Sequence, residues 1–375
     1  MKVSALRKMI PINAPQIDER EIEMVTKVLK SGFLTSRVGS SSMVASFEQA
    51  YARFAEAKHA VAVNSGTAAL HMTLSAAGIM PSDEVILPSF TFVATAEAVA
   101  LCGAKPVCVD ITPQTYNIDP EKFGKAINAK TKAVIPVDLY GLPADMQTIS
   151  KIAKEHNLAV IEDAAQAHGA SYRGKPPGYF ADMACWSFYA SKNMTTGEGG
   201  MITTNNDEYA DALRCMRTHG EKGEYISYML GHNYRMPEIA AAMGLAQLEK
   251  LPAFLEKRRR NAQRLTEKLS LVERLTLPME PRGYKHSWYL YTVRLQGSDR
   301  AERDKAVEEL RKRGVGATVY YGTPIHLMPY YRQFAQYSLP EAEKASEQVF
   351  SLPVHPGVTL QEINYIADSL IEVVR

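Results

Sequence analysis

Between about Lys58 and about Thr204, short β-branched or apolar runs alternate with longer stretches of helical spacing. That alternation confines the chain to a parallel sheet wrapped by helices. The runs predict strands over residues 60–63, 84–87, 106–109, 133–137, 159–162, 184–188 and 201–204, and helices over 67–77, 93–102 and 146–156. Together they make a large α/β domain with a mostly parallel, seven-stranded sheet. From Pro237 the texture changes. Ile239, Met243, Leu245, Leu248, Leu255 and Leu265 trace one long helix without a strand signal, of the kind that bridges two domains.

Beyond that helix, residues 286–295 and 317–321 read as strands and 300–313 and 360–374 as helices, a smaller α+β domain. The expected division is 1–250, with an N-terminal arm, and 251–375. A chain of 375 residues is too long for a peptide-binding module or a disulfide knot. The 43 basic and 41 acidic residues sum to only +2, which provides no global field for a polyanion such as DNA. Nucleic acid is therefore not an expected partner. Cys102, Cys108, Cys185 and Cys215 are too scattered for a disulfide framework or a CxxC metal clamp, so reduced thiols and no metal are expected. The N-terminus has basic residues but no following apolar stretch, and polar residues break up the longest uncharged run, from Ala60 to Ser82. A cytoplasmic protein without a membrane span is the expectation. The consecutive residues Lys257, Arg258, Arg259 and Arg260 point all around a helix, which predicts a solvated surface rather than a phosphate-binding face.

Three short motifs carry chemistry. Lys192 lies between an apolar strand and the glycine-rich turn that ends at Gly200. Desolvation near a buried sheet end lowers an amine's pKa and frees its lone pair, as a Schiff-base nucleophile requires. Taken alone, it reads as a surface lysine. Asp163 follows a buried strand, at the carboxyl edge where ligands bind in α/β sheets. A carboxylate there could keep a cofactor's pyridine nitrogen protonated, or simply cap a helix. In Asn64-Ser65-Gly66-Thr67-Ala68, a strand runs through small residues into a helix, the design of a phosphate cup. It is neither GxGxxG nor a Walker A loop. Ser187 could add a hydroxyl to the same phosphate, or be a plain strand serine. Phe92 could stack on a flat cofactor, or belong to the core.

The order NSGTAAL, PSFTFVATAEAV, DLYG, IEDAAQAHGA, SFYASKNMTTGEGG and HNYRMPEIAAAMGLAQLEKL resembles the DegT-type sugar aminotransferases, pyridoxal-phosphate enzymes of fold type I. The resemblance runs from Ile10-Pro11 to Pro356-Gly357. It implies that Lys192 forms the internal aldimine with pyridoxal 5'-phosphate and that Asp163 pairs with the pyridine nitrogen. It implies Gln166 near the ring oxygen and face, Phe92 stacked on the ring, and Gly66, Thr67 and Ser187 on the phosphate. Asn233 would reach the phosphate from a partner subunit, so a homodimer with shared sites is implied. Tyr321 and His326 match positions on the sugar side of the cleft, where a packed Tyr and a structural His are the plainer reading. Arg235 could hold the donor carboxylate, or form a surface or interface ion pair.

The implied reaction moves an amino group from L-glutamate or glutamine to a keto-sugar, foremost a nucleotide-linked keto-hexose. Three rivals share the fold. A sister group that removes a sugar hydroxyl has histidine at the lysine position, and Lys192 opposes it. A cyclitol or other keto compound of antibiotic synthesis would use the same cofactor residues. A non-catalytic sensor would be expected to lose Lys192 or Asp163, and both are present. Two departures from the family pattern stand out: Asp138, where many relatives have histidine, and Ala190, where proline is frequent.

Overall fold

The computed structural model describes residues 9–35, 42–223, 225–335 and 337–375. The basic N-terminal segment discussed above lies, except for Met9, outside the described residues. All seven expected strands form: β1 (His59–Val63), β2 (Glu84–Pro88), β3 (Lys105–Val109), β4 (Thr131–Val134), β5 (Ala159–Asp163), β6 (Met183–Ser187) and β7 (Gly200–Thr204). They lie in the order β1-β7-β6-β5-β4-β2-β3. Strands β6, β5, β4, β2 and β3 run parallel, and β7 is antiparallel to both neighbours. Helices cover both faces, which is why the strands are continuous apolar runs rather than alternating ones.

The flanking helices are α1 (Glu19–Ser31), α2 (Met43–Phe54), α3 (Gly66–Ala76), α4 (Ala94–Leu101), α5 (Pro120–Ala126), α6 (Met146–Glu155) and α7 (Asp207–Met216). Helix α1 was not expected, although Asp18 and Glu21 form a reciprocal capping box that announces its start. The long helix α8 (Glu238–Leu269) begins after Pro237, as its spacing implies. Gly244 on α8 lies against the Phe47 ring of α2, where a Cβ would come within 2.7 Å of ring carbons.

After α8, the three-stranded sheet contains β8 (Leu275–Thr276), β9 (Tyr291–Leu295) and β10 (Val349–Leu352), with β9 in the middle. Helices α9 (Arg300–Lys312) and α11 (Leu360–Val374) pack on it, and α10 (Pro340–Gln348) leads into β10. Three local expectations are corrected. The strand expected at 286–295 begins only at Tyr291. Ser287 N–H donates to Gly141 O, Leu290 N–H donates to Tyr140 O, and Trp288 sits at φ 54° with its N–H on His286 Nδ1. The backbone bonds of this segment therefore go to the 140–141 turn instead of a sheet neighbour. The strand expected at 317–321 is reduced to one bridge, Thr318 with Ser351. Beyond it, Tyr320 O accepts from Tyr140 OH and Tyr321 OH accepts from Gln166, which pull the chain out of the sheet's line. Finally, Arg258 does not lie on a solvated surface. It is buried, and its Nη1 donates to Trp288 O at 3.2 Å and Tyr289 O at 3.1 Å.

Candidate active site

The carboxyl ends of β5, β6 and β2 and the start of α3 converge at one edge of the large sheet. Asp163 ends β5 and is buried. Its Oδ2 accepts from Thr95 Oγ1 of α4 at 2.9 Å, and its Oδ1 from Ala165 N at 3.2 Å. Burial pushes the carboxyl above its usual range, while the Thr95 and Ala165 donors and the Lys192 charge pull it back. The acid is thus desolvated but supplied with donors suited to its charged form.

Next to it lies the cup at the start of α3. Ser65 caps the helix by accepting from Ala68 N, which leaves other first-turn N–H groups pointing beyond the helix end. The approach of β6 requires glycine at position 66, because a Cβ there would lie 2.9 Å from Ser187 Cβ. Ser187 and Gly66 therefore share one small space, with the Ser187 hydroxyl at its wall and half-buried Thr67 beside it.

Lys192 is half-buried, and its Nζ lies 4.7 Å from the centre of the Tyr289 ring. Among the described residues this Nζ makes no hydrogen bond or ion pair. Tyr289 OH and Ser191 Oγ are 3.0 Å apart, which fixes the ring beneath the amine. Gln166 is held at both ends of its amide: Oε1 accepts from Tyr140 N at 2.8 Å and Nε2 donates to Tyr321 OH at 3.3 Å. Burial raises the Tyr321 phenol well above its usual value, so it stays a neutral donor. Phe92 is 54% exposed, and its ring centre lies 6.0 Å from that of Tyr321. An exposed aromatic face inside a cleft is not a core phenylalanine.

Other predicted residues are placed differently. His326 is buried, with Nδ1 2.6 Å from Ser89 Oγ and Nε2 3.1 Å from Glu343 Oε1, so neither ring nitrogen is left for a ligand. Asn233 is exposed; its backbone bridges to Thr218, and its carbonyl accepts from Asn64 Nδ2 at 3.4 Å. Arg235 bridges to Val63, and its buried Nη1 has no partner. Asp138 lies behind the site, fully buried, with Oδ1 accepting from Ala144 N at 2.9 Å. Sequence reasoning missed Thr95 and Tyr289, which reach Asp163 and Lys192 from other elements. Thr95 lies inside a motif that was recognised, but no spacing rule orients its hydroxyl.

The donor set fits pyridoxal phosphate: a glycine cradle for the phosphate, a buried acid for the ring nitrogen, a free aromatic face, and an amine without a polar partner. No group of three or more His, Cys, Asp or Glu among the described residues could hold a metal ion. No helix among them is long and apolar enough to cross a membrane.

The model of the DegT/DnrJ/EryC1/StrS aminotransferase family matches residues 15–371. The chain is 41% identical over 367 residues to the GDP-perosamine synthase of Caulobacter vibrioides, covering 97% of this chain and 98% of that one. It is 42% identical over 310 residues to a UDP-N-acetyl-3-dehydro-alpha-D-glucosamine 3-aminotransferase of Acidithiobacillus ferrooxidans, covering 82% of each. Among solved structures, Helicobacter pylori PseC, an aminotransferase involved in the biosynthesis of pseudoaminic acid, superposes with a TM-score of 0.92. It is 32% identical and covers 98% of this chain and 99% of its own.

Proposed function

Because the chain belongs to the DegT/DnrJ/EryC1/StrS aminotransferase family, we propose that it moves an amino group from L-glutamate or glutamine to a nucleotide-linked keto-hexose, in two half-reactions. The observation that carries this reading is one cleft holding both a buried acid, Asp163, and a lysine amine, Lys192, without a polar partner among the described residues. The two relatives named for GDP- and UDP-linked sugars support the acceptor class.

Pyridoxal phosphate, when bound, supplies an electron sink for the pair left behind as a C–H bond breaks. Asp163, whose ionised form Thr95 and Ala165 favour, would hold the ring nitrogen's proton. Gly66, Thr67 and Ser187 would hold the phosphate, Phe92 would cover one ring face, and Gln166 would serve the ring oxygen. Lys192 would hold the cofactor through its amine and, once free, its Nζ would take the proton from the donor's α carbon. Arg235 would meet the donor carboxylate with its guanidinium. Tyr321 faces the sugar. His326, held by Ser89 and Glu343, shapes that side of the cleft without touching substrate. In a homodimer, Asn233 would serve the phosphate of the second chain. Residues 1–250 would then carry the cofactor and 251–375 would form its smaller companion domain. Four unpaired thiols fit the reducing cytoplasm.

The test is to add L-glutamate to the purified protein with its cofactor and follow the visible band. It should disappear and return when a keto acid is supplied, while Lys192→Ala should lose transamination altogether. A variant that retained full activity, or a protein forming no visible chromophore with the cofactor, would overturn the reading. A panel of nucleotide keto-sugars and keto-cyclitols then identifies the acceptor.

A further inference from the structure

We propose that Asp138 and Glu162 share a single proton as one buried acid pair, and that this pair is a positioning device that clamps the 138–144 turn to the strand carrying Asp163. The proposal depends on the aminotransferase reading only for the importance of Asp163.

The hydrogen-bond inventory carries the inference. Both side chains are essentially inaccessible to solvent. Each carboxyl gives one oxygen to a backbone donor: Asp138 Oδ1 accepts from Ala144 N at 2.9 Å, and Glu162 Oε2 from Gly178 N at 2.5 Å. The remaining oxygens, Asp138 Oδ2 and Glu162 Oε1, are both buried and have no donor. Two ionised carboxylates only accept, so as a dianion each would leave an oxygen unsatisfied beside a like charge. One proton between them satisfies both oxygens at once. The register brings the two side chains together: Val137 bridges in parallel to Asp163, so Asp138 and Glu162, one residue to either side, project from the same opposite face of adjacent strands. In keeping with that, burial and the Glu162 charge raise the Asp138 carboxyl well above its usual range, and burial pushes Glu162 up to about 7. The charged and titratable groups that face the pair are Asp163, adjacent to Glu162 in sequence, and Cys185 on β6, itself raised by burial. Among the described residues, neither carboxyl forms an ion pair that could replace the proton.

The clamp leads directly to the site. Asp138 N–H donates to Asp163 O at 3.1 Å, and Asp163 N–H to Pro136 O at 2.9 Å. The turn that Asp138 Oδ1 closes onto Ala144 carries Tyr140, whose N–H holds Gln166. The pair therefore fixes both the acid and the glutamine from behind, without reaching the cleft.

The test uses the full chain at fixed protein and cofactor concentration. In Asp138→Asn the amide can donate to Glu162 while its oxygen keeps Ala144, so the variant copies the geometry and the single negative charge of the shared-proton state. Glu162→Gln copies it from the other side. Above the usual carboxylate range, the native pair holds a proton that the unfolded chain has released, so wild-type stability falls as pH rises. The wild-type unfolding constant should therefore climb about tenfold per pH unit more steeply than that of either amide variant from about pH 5, until the pair ionises. Asp138→Leu should unfold more readily and hold cofactor less tightly, and Asp138→Asn should restore both. Profiles of wild type and the amide variants that run parallel would overturn the proposal. If one amide variant fails to fold, the profile of the other decides. Because unfolding is read without substrate, a failed amino transfer would leave this result standing.

Discussion

At the residue scale, the proposed transamination requires a buried acid to stay charged. Asp163 loses solvation at the end of β5 and regains two donors, Thr95 Oγ1 and Ala165 N, which favour its ionised form. Thr95→Val removes the stronger of these without changing size much. The Asp163 carboxyl should then rise further, because burial is less opposed, and the acidic limb of the kcat/KM profile should move to higher pH. Thr95→Ser should return it, and an unmoved limb in Thr95→Val would separate Asp163 from the reaction. Lys192, Asp163 and Gly66 were legible in the sequence because each follows an apolar strand at a turn, and a strand's end in an α/β sheet is predictable. Thr95 and Glu162 were not. Their roles depend on which side of α4 faces β5, and on β4 and β5 lying next to each other, neither of which a linear pattern encodes.

At the scale of elements, the seven strands were readable because a sheet covered on both faces leaves apolar runs in the chain. The failures at 286–290 and 317–321 have one cause. Both segments are apolar and aromatic like strands, yet their hydrogen bonds go to the 140–141 turn and to the cleft. Gly141 makes this possible, because at φ 102° it lets Ser287 and Tyr289 N come so close that a Cβ would lie 2.2 Å from Ser287 Oγ. Helix α8 locks the same segment from the other side through Arg258, whose burial lowers its guanidinium to about 10. Arg258→Met keeps the aliphatic bulk but leaves two carbonyls unpaired, at a cost of about 1–3 kcal/mol. The thermal midpoint should fall accordingly. The Tyr289 ring under Lys192 should loosen with it, so the half-reaction with L-glutamate should slow more than donor KM changes. A melting curve and single-turnover absorbance measure the two effects separately. Equal slowing in a variant destabilised elsewhere to the same extent would break the connection between α8 and the lysine.

At the scale of the molecule, a net charge of only +2 means that an anionic acceptor has to be met by a few local donors rather than by an overall field. The same scarcity holds at the cofactor's cup, where the chain's own donors are the first-turn N–H groups and the Ser187 hydroxyl. Asn233 sits at the rim of the cup through its carbonyl on Asn64, yet its side chain is exposed. The segment before it, from α7 to Asn233, also presents Ile226, Tyr228 and Leu230, with Leu230 85% exposed. A second copy of the chain would bury these residues and give the asparagine a partner cup to reach. A two-fold interface makes the exchange reciprocal. If so, Asn233→Ala and Lys192→Ala chains, each defective alone, should complement when unfolded together, mixed equally and refolded. Each mixed dimer would contain one site with both residues intact and one with neither. Random pairing makes half of the dimers mixed, so about a quarter of wild-type activity per chain should return. Sites built within single chains would recover nothing beyond the sum of the two variants, and gel filtration of each variant would show whether pairing itself had survived.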